Sequence, residues 1–136
     1  MATRREARER ALGLCYEVEV RGVRAETVLA EQPAPPDPYA IDLVRGVDAH
    51  RAEIDGLLAR YSQHWAVDQM PAVDRALLRI GTFELGWHPE LAAGVVINEA
   101  VELAQEYSTE DSGRFVNGLL SRIAEHLRDT TEEASA

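Results

Sequence analysis

Apolar residues recur at three- and four-residue intervals along almost the whole chain, the spacing that lines one face of an α-helix. In residues 4–20, Ala7, Ala11, Leu14, Cys15 and Val18 stand at i, i+4, i+7, i+8 and i+11 and predict an amphipathic first helix. Thr3, with Glu6 three residues on, makes a capping-box start. Gly22 supplies a stop, and residues 24–31 fit a short second helix. Four prolines in the next stretch, "QPAPPDPY", forbid helix and central strand alike and predict a loop.

Ile41, Val44, Val47, Ile54, Leu57, Leu58 and Tyr61 mark helical material from about 39 to 61, divided at Gly46 or at "VDAH". "VDQMP" starts a further helix with Asp68 as candidate cap and Pro71 in its first turn. Val73, Leu77 and Ile80 carry that helix to about Gly86, and "WHPE" is a connection. Val96, Ala100, Leu103, Ala104 and Tyr107 form the next apolar set, and "STEDSGRF" the next start, capped by Asp111 or Ser112. Val116, Leu119, Leu120, Ile123 and Leu127 line the last helix, where Gly118 is read as a point of close approach to a neighbouring helix. "AGVVI" is the one strand-like run. The pattern predicts an all-α fold of about seven helices, as one bundle or two small ones packed together. The expected organisation is a single domain with an N-terminal part to about residue 67, a C-terminal part over 68–128 and a flexible polar tail at 129–136.

Charge changes the picture at the N-terminus. The 136 residues carry a formal net charge of −10, and every basic residue is arginine. The first ten residues hold four arginines against two glutamates, a net +2, whereas the remainder nets −12. Such a body repels nucleic acid at long range, so any binding to it must use a local patch. A single cysteine, Cys15, excludes an internal disulfide and suits a reducing compartment. With no apolar run of signal-peptide or membrane-spanning length, the expectation is a cytoplasmic protein.

The local patch has a candidate. On the first helix Arg4, Arg5 and Arg8 fall beside the apolar stripe, and Tyr16, eleven residues after Arg5, shares its flank. Guanidinium groups grip phosphate oxygens bidentately, and a phenol ring stacks on a base. The same arginines at helical spacing from Glu6, Glu9 and Glu17 also fit a solvated ion-paired flank. No catalytic constellation, metal-ligand spacing among His50, His64, His88 and His126, or glycine-rich phosphate loop is present, so neither enzyme chemistry nor a cofactor is expected. Cys15 reads as a small core residue.

Two further stretches carry a resemblance. "VDRALLRIGTFEL" (73–85) and "VINEAVELAQEYSTEDSGRFVNGLLSRI" (96–123) resemble the signature blocks of the NusB family of transcription antitermination factors. "RREARERALGLCYEVE" resembles that family's arginine-rich first helix. The resemblance covers nearly the whole chain, weakest at 23–60. It implies two small helical bundles side by side. It also implies binding of boxA, a short single-stranded segment of nascent RNA, together with the small-subunit ribosomal protein NusE in the transcription elongation complex. Read-through of terminators, notably in ribosomal RNA operons, is the implied outcome. Some family members form homodimers that cover the RNA surface.

Carried over by position, the resemblance assigns RNA contacts to Arg4, Arg5, Arg8 and Tyr16, and to Asp111, Ser112 and Phe115 in "EDSGRF". Arg114 joins them as an extra cation, and Asp74 matches an acidic position facing NusE. Glu6 and Glu9 interrupt a basic run that is often denser in the family, which implies weak RNA binding by the chain alone. The physics of the second segment is consistent with this. A helix start at Asp111–Ser112 presents unpaired N–H groups, and Phe115 one turn inward offers a stacking face. Capping by Asp111–Ser112 and packing by Phe115 is the competing reading. A helical protein–protein module or homodimer without RNA remains the alternative function.

Overall fold

Helix α1 (Arg4–Arg21) opens with the capping box that the sequence predicts: the Glu6 N–H donates to Thr3 Oγ1 at 3.0 Å, and the Thr3 N–H to Glu6 Oε1 at 3.3 Å. It ends at Gly22, whose left-handed φ of 65° closes the helix. The computed structural model describes residues 2–135, with side chains through residue 128. Helices α2 (Ala25–Ala30), α3 (Pro38–Ala49), α4 (Arg51–Tyr61), α5 (Ala72–Trp87), α6 (Ala93–Tyr107) and α7 (Glu110–Ser135) follow, with a 3₁₀ turn at Val67–Gln69. Among the described residues there is no strand. "AGVVI" lies in the first turns of α6, where no neighbouring strand exists to pair with it. Nor is any helix among them long and apolar enough to cross a membrane.

Several local expectations shift. The break between α3 and α4 falls at His50, the last residue of "VDAH", while Gly46 stays inside α3, where its lack of a side chain makes room for the Phe83 ring. An added Cβ there would sit 2.0 Å from Phe83 Cζ. Asp68 caps nothing on α5: it lies in the 3₁₀ turn, and Pro71 precedes the helix without a side-chain cap. The start of α7 is capped by Thr109, whose Oγ1 accepts from the Ser112 N–H at 3.0 Å, so Asp111 and Ser112 are already inside the first turn. Gly118 does not mark a helix crossing, since an added Cβ meets only Arg122 of its own helix, at 3.4 Å. The backbone stays helical through Ser135, where a polar tail was expected; no Gly or Pro intervenes to break it, and the side chains of 129–136 lie outside the described residues.

The core is continuous. Helix α5 is packed on by α1, α3, α4, α6 and α7 and is buried without interruption from Ala76 to Leu85. Leu77, Leu78 and Leu85 of α5 join Leu43, Ile54, Leu58, Leu103, Leu119 and Ile123 in one apolar cluster. Cys15 lies within it, and burial pushes its thiol up to about 12. Arg128 closes the carboxyl end of α5, donating to the carbonyls of Leu85 at 3.0 Å and Leu91 at 2.9 Å.

Two charged contacts fix α1 on this core. Arg8, 4% exposed, donates from Nε and Nη2 to the Glu84 carboxylate at 3.0 and 2.8 Å, and Glu84 is 1% exposed. The Tyr39 hydroxyl donates to the same carboxylate from α3. Further along α1, Glu19 receives Arg75 and Arg79 of α5, and Arg79 also reaches Asp55 of α4 at 2.8 Å. On the surface, His88 bridges Asp42 of α3 at 2.7 Å and Glu90 at 2.8 Å. Partial burial opposes charge on this imidazole, yet the two hydrogen bonds and carboxylate charges outweigh it and raise the group above its ordinary value.

Arg8→Ala should therefore cost about 3–5 kcal/mol of stability, because it leaves Glu84 buried without its counterion. Arg8→Met combined with Glu84→Leu should recover most of that loss; urea denaturation of the three chains measures both. His88 has a raised folded-state value, so its bridge contributes fully below its ordinary 6.5 and is lost as pH rises through the raised value. Melting curves from about pH 5.5 to about pH 8 should show the gap between the native chain and His88→Gln closing as pH rises.

Candidate nucleic-acid interface

The arginines of the first turns of α1 do not form one strip. At 100° per residue Arg4 and Arg8 lie on a row next to the apolar stripe, while Arg5 lies further round the helix. Arg4 is exposed, with its guanidinium 3.8 Å from the centre of the Tyr39 ring. Arg8 lies on the same side but is drawn inward to Glu84, and is therefore not presented to solvent as the sequence reading expects. Arg5 faces α6, where Glu102 at 2.5 Å, Glu106 at 3.3 Å and Glu99 at 3.5 Å surround it, with Glu9 at 3.7 Å on its own helix. The hydrogen bond to Glu102 leads the causes that hold the Arg5 charge more firmly than usual, against the desolvation that opposes it.

Tyr16 lies on the Arg5 flank, as the spacing predicts, and is 44% exposed. It does not stand alone. Tyr107, at the carboxyl end of α6 and 47% exposed, lines the same groove, together with Glu9, Leu12, Gly13 and Val73. The Tyr107 hydroxyl donates to Glu9 Oε2 at 2.7 Å, and that bond pushes the phenol up to about 12. Arg5, Glu9, Tyr16 and Tyr107 thus make a contiguous edge between α1 and α6.

The edge continues through the α6–α7 corner. Ser108 and Thr109 follow Tyr107, and both hydroxyls lie 3.0 Å from Ser112 Oγ. Ser112 is 5% exposed, so it orders the corner and does not reach outward. Asp111 and Arg114 are exposed, and Arg114 lies beside Gln105 and Asn117 over a shallow hollow. Phe115 is half-buried and meets Trp65 edge-on, with ring centres 4.9 Å apart. Trp65 is itself 41% exposed in the α4–α5 connection, so the pair leaves aromatic surface at this end of the molecule.

Asp74 is not at a surface. It is the third residue of α5 and points inward on the row of Leu77 and Leu78, with no exposure and no hydrogen-bond partner for either oxygen. Its place in the first turn lets the helix dipole offset part of the cost of burying a carboxylate. It cannot offer that carboxylate to a partner protein.

Of the residues singled out from sequence, the structure groups Arg5 with Tyr16, and Asp111, Ser112, Arg114 and Phe115 with one another. It separates Arg4 toward α3 and buries Arg8 and Asp74. Sequence reasoning missed Tyr107, Trp65 and the acidic row of α6. Tyr107 fits the apolar period of α6 and so reads as core, but it lies in the last turn, beyond the packed part of the helix. The row Glu99–Glu102–Glu106 was visible as i, i+3, i+7 spacing, but its position opposite Arg5 depends on the packing.

Comparison with known proteins supplies the remaining observation. The NusB family pattern matches residues 5–125. The transcription antitermination protein NusB of Kineococcus radiotolerans is 50% identical over 134 residues, covering 96% of this chain and 98% of that protein. The NusB of Saccharopolyspora erythraea is 44% identical, covering 99% of this chain and 97% of that protein. Among solved structures, T. maritima NusB superposes with a TM-score of 0.81 at 35% identity, covering 91% of this chain and 92% of its own. A chain from a crystal structure of antitermination factors NusB and NusE in complex with double-stranded RNA superposes with a TM-score of 0.77 at 31% identity, covering 90% and 96%. With the family pattern spanning most of the sequence and relatives matching it nearly end to end, the chain belongs to the NusB family.

Proposed function

We propose that the chain is a transcription antitermination factor that binds boxA-type nascent RNA together with the ribosomal protein NusE. It acts in the cytoplasm as an adaptor in the elongation complex and carries out no chemistry of its own. The single observation that carries this reading is the end-to-end likeness, at 31% identity, to a chain solved together with NusE and RNA.

The surface supports it in detail. Arg4 and Arg5 supply cations at the start of α1, Tyr16 a stacking face on the same helix, and Arg114 a cation beside the α6–α7 corner. Asp111 accepts from base amino groups, and the Phe115–Trp65 pair adds aromatic surface. Arg8 and Ser112 hold these groups in place from beneath. Exposed rings favour unpaired over paired RNA, because a duplex keeps its base faces stacked inside. The acidic body suits a basic ribosomal protein as partner.

Fluorescence anisotropy with a labelled boxA RNA, with and without NusE, tests the reading. Binding should strengthen when NusE is present and should weaken along a shallow salt slope, since few phosphates are reached. Arg4→Ala with Arg5→Ala should lower RNA affinity and reduce that slope by about 2, roughly one unit for each phosphate contact. Absence of RNA binding in the presence of NusE, or a steep slope untouched by these substitutions, would refute it.

A further inference from the structure

We infer that the groove between α1 and the end of α6 is a slot for one unpaired nucleobase, walled by Tyr16 and Tyr107, with Glu9 as the acceptor for the base's exocyclic amino group. This inference rests on the RNA-binding reading above and extends it to residues outside the arginine-rich stretch and the α7 start.

Four observations carry it. Tyr16 and Tyr107 are both large, both nearly half exposed, and line one groove of about 280 Å³. Exposed rings contributed by two different helices to a single groove offer stacking surface that the core does not use. The floor is apolar, made by Leu12, Gly13 and Val73, which suits the flat face of a base.

The second observation is Gly13 itself. It sits in the middle of an 18-residue helix, where glycine costs about 0.5–1 kcal/mol relative to alanine. No packing reason requires it: an added Cβ would meet nothing within 4 Å. Glu9, Gly13 and Tyr16 lie at i, i+4 and i+7 on one row, so the missing side chain leaves a gap in the floor between a carboxylate and a ring. A helix weakened at the one position that keeps this groove open is explained if something enters the groove.

The third observation selects the occupant. Glu9 lines the slot and Glu106 stands close by on α6, so a phosphate is repelled from it. A base amino group is attracted. Glu9 Oε2 is taken up by the Tyr107 hydroxyl, whereas Oε1 lies 3.7 Å from Arg5 Nε, beyond hydrogen-bond reach, and retains accepting capacity. Adenine, cytosine and guanine carry such amino groups; uracil does not. The fourth is continuity: the slot borders Arg5, so a strand whose phosphate meets Arg5 brings its neighbouring base to the Tyr16–Tyr107 gap.

The test uses the full chain, labelled single-stranded boxA RNA and purified NusE. Gly13→Leu fills the floor while improving helix propensity, so it should melt no lower than the native chain yet bind RNA about tenfold more weakly, the size expected for one lost stacked base. Tyr107→Ala should weaken RNA binding to a similar degree. Tyr107→Phe keeps the ring and should bind close to the native level. Glu9→Gln, whose amide both donates and accepts, should narrow the preference for amino-bearing bases over uracil at one position of the RNA. NusE affinity should be unchanged in every variant. Native-level RNA binding by Gly13→Leu and Tyr107→Ala would overturn the slot while leaving the RNA-binding reading intact. Loss of NusE binding in these variants, with RNA binding unaltered, would assign the groove to protein and also overturn it. Failure of the native chain to bind RNA with NusE present would remove both.

Discussion

The buried pair Arg8–Glu84 sets the geometry of everything on the outer face of α1. A guanidinium at the edge of an apolar stripe can be taken out of water only where a carboxylate stands directly opposite with its remaining lone pairs satisfied. Glu84 meets that requirement, held by Arg8 from one helix and by the Tyr39 hydroxyl from another. A shift of one residue between α1 and α5 would break the pair and leave two desolvated charges. The register is therefore specified by the penalty for mismatch more than by the gain from the match. Arg75 and Arg79 on Glu19 repeat the arrangement nearer the other end of α1. Pinned at both places, α1 holds Arg5 over the acidic row of α6 and Tyr16 beside Tyr107, so that edge is built before any ligand arrives.

Helices were the legible part of the sequence, because a period of 3.6 over ten or more residues is set by local spacing alone. The start of α1 was legible for the same reason: Thr3 and Glu6 satisfy each other within one turn. The cap of α7 falls at Thr109, ahead of the expected Asp111 or Ser112, because several short polar side chains crowd that start and which of them turns back on the backbone depends on how the chain enters the helix. Helix α5 has no side-chain cap, since Pro71 and not a polar residue precedes it. What could not be read was the partner across each interface. The helical wheel puts Arg8 at the boundary of the apolar stripe, and only Glu84 opposite decides that it goes inward. Asp74 carries the signature of a surface acid, yet it shares a row with Leu77 and Leu78 and is enclosed. Tyr107 failed in the other direction. It keeps the apolar period of α6, but the packing ends before it does.

The Arg5 site shows how an acidic protein can hold an arginine at its surface without an attractive field around it. Four carboxylates lie within 4.0 Å of its guanidinium, so the local charge is negative even though the side chain is cationic. These pairs are partly exposed, and exposed ion pairs contribute only about 0–1 kcal/mol each. Exchanging one or two of them for a phosphate is close to neutral: the arginine is occupied but not locked. On the proposed RNA-binding reading, phosphate contact at this edge supplies position more than affinity.

Affinity has to come from terms that negative charge does not weaken. Stacking of a base on an aromatic ring is worth about 1–3 kcal/mol and depends on ring faces, not on net potential. Hydrogen bonds from base amino groups to carboxylates are favoured by the same acids that repel phosphate. On the proposed reading, a surface of this composition discriminates unpaired bases from bare backbone. The long-range attraction that the −10 body lacks is the contribution a basic partner makes when it joins the complex. On the proposed reading, a basic partner compensates for this charge distribution: Arg8 is buried and Arg5 already faces glutamate, which leaves Arg4 and Arg114 as the exposed cations among the residues carried over for RNA.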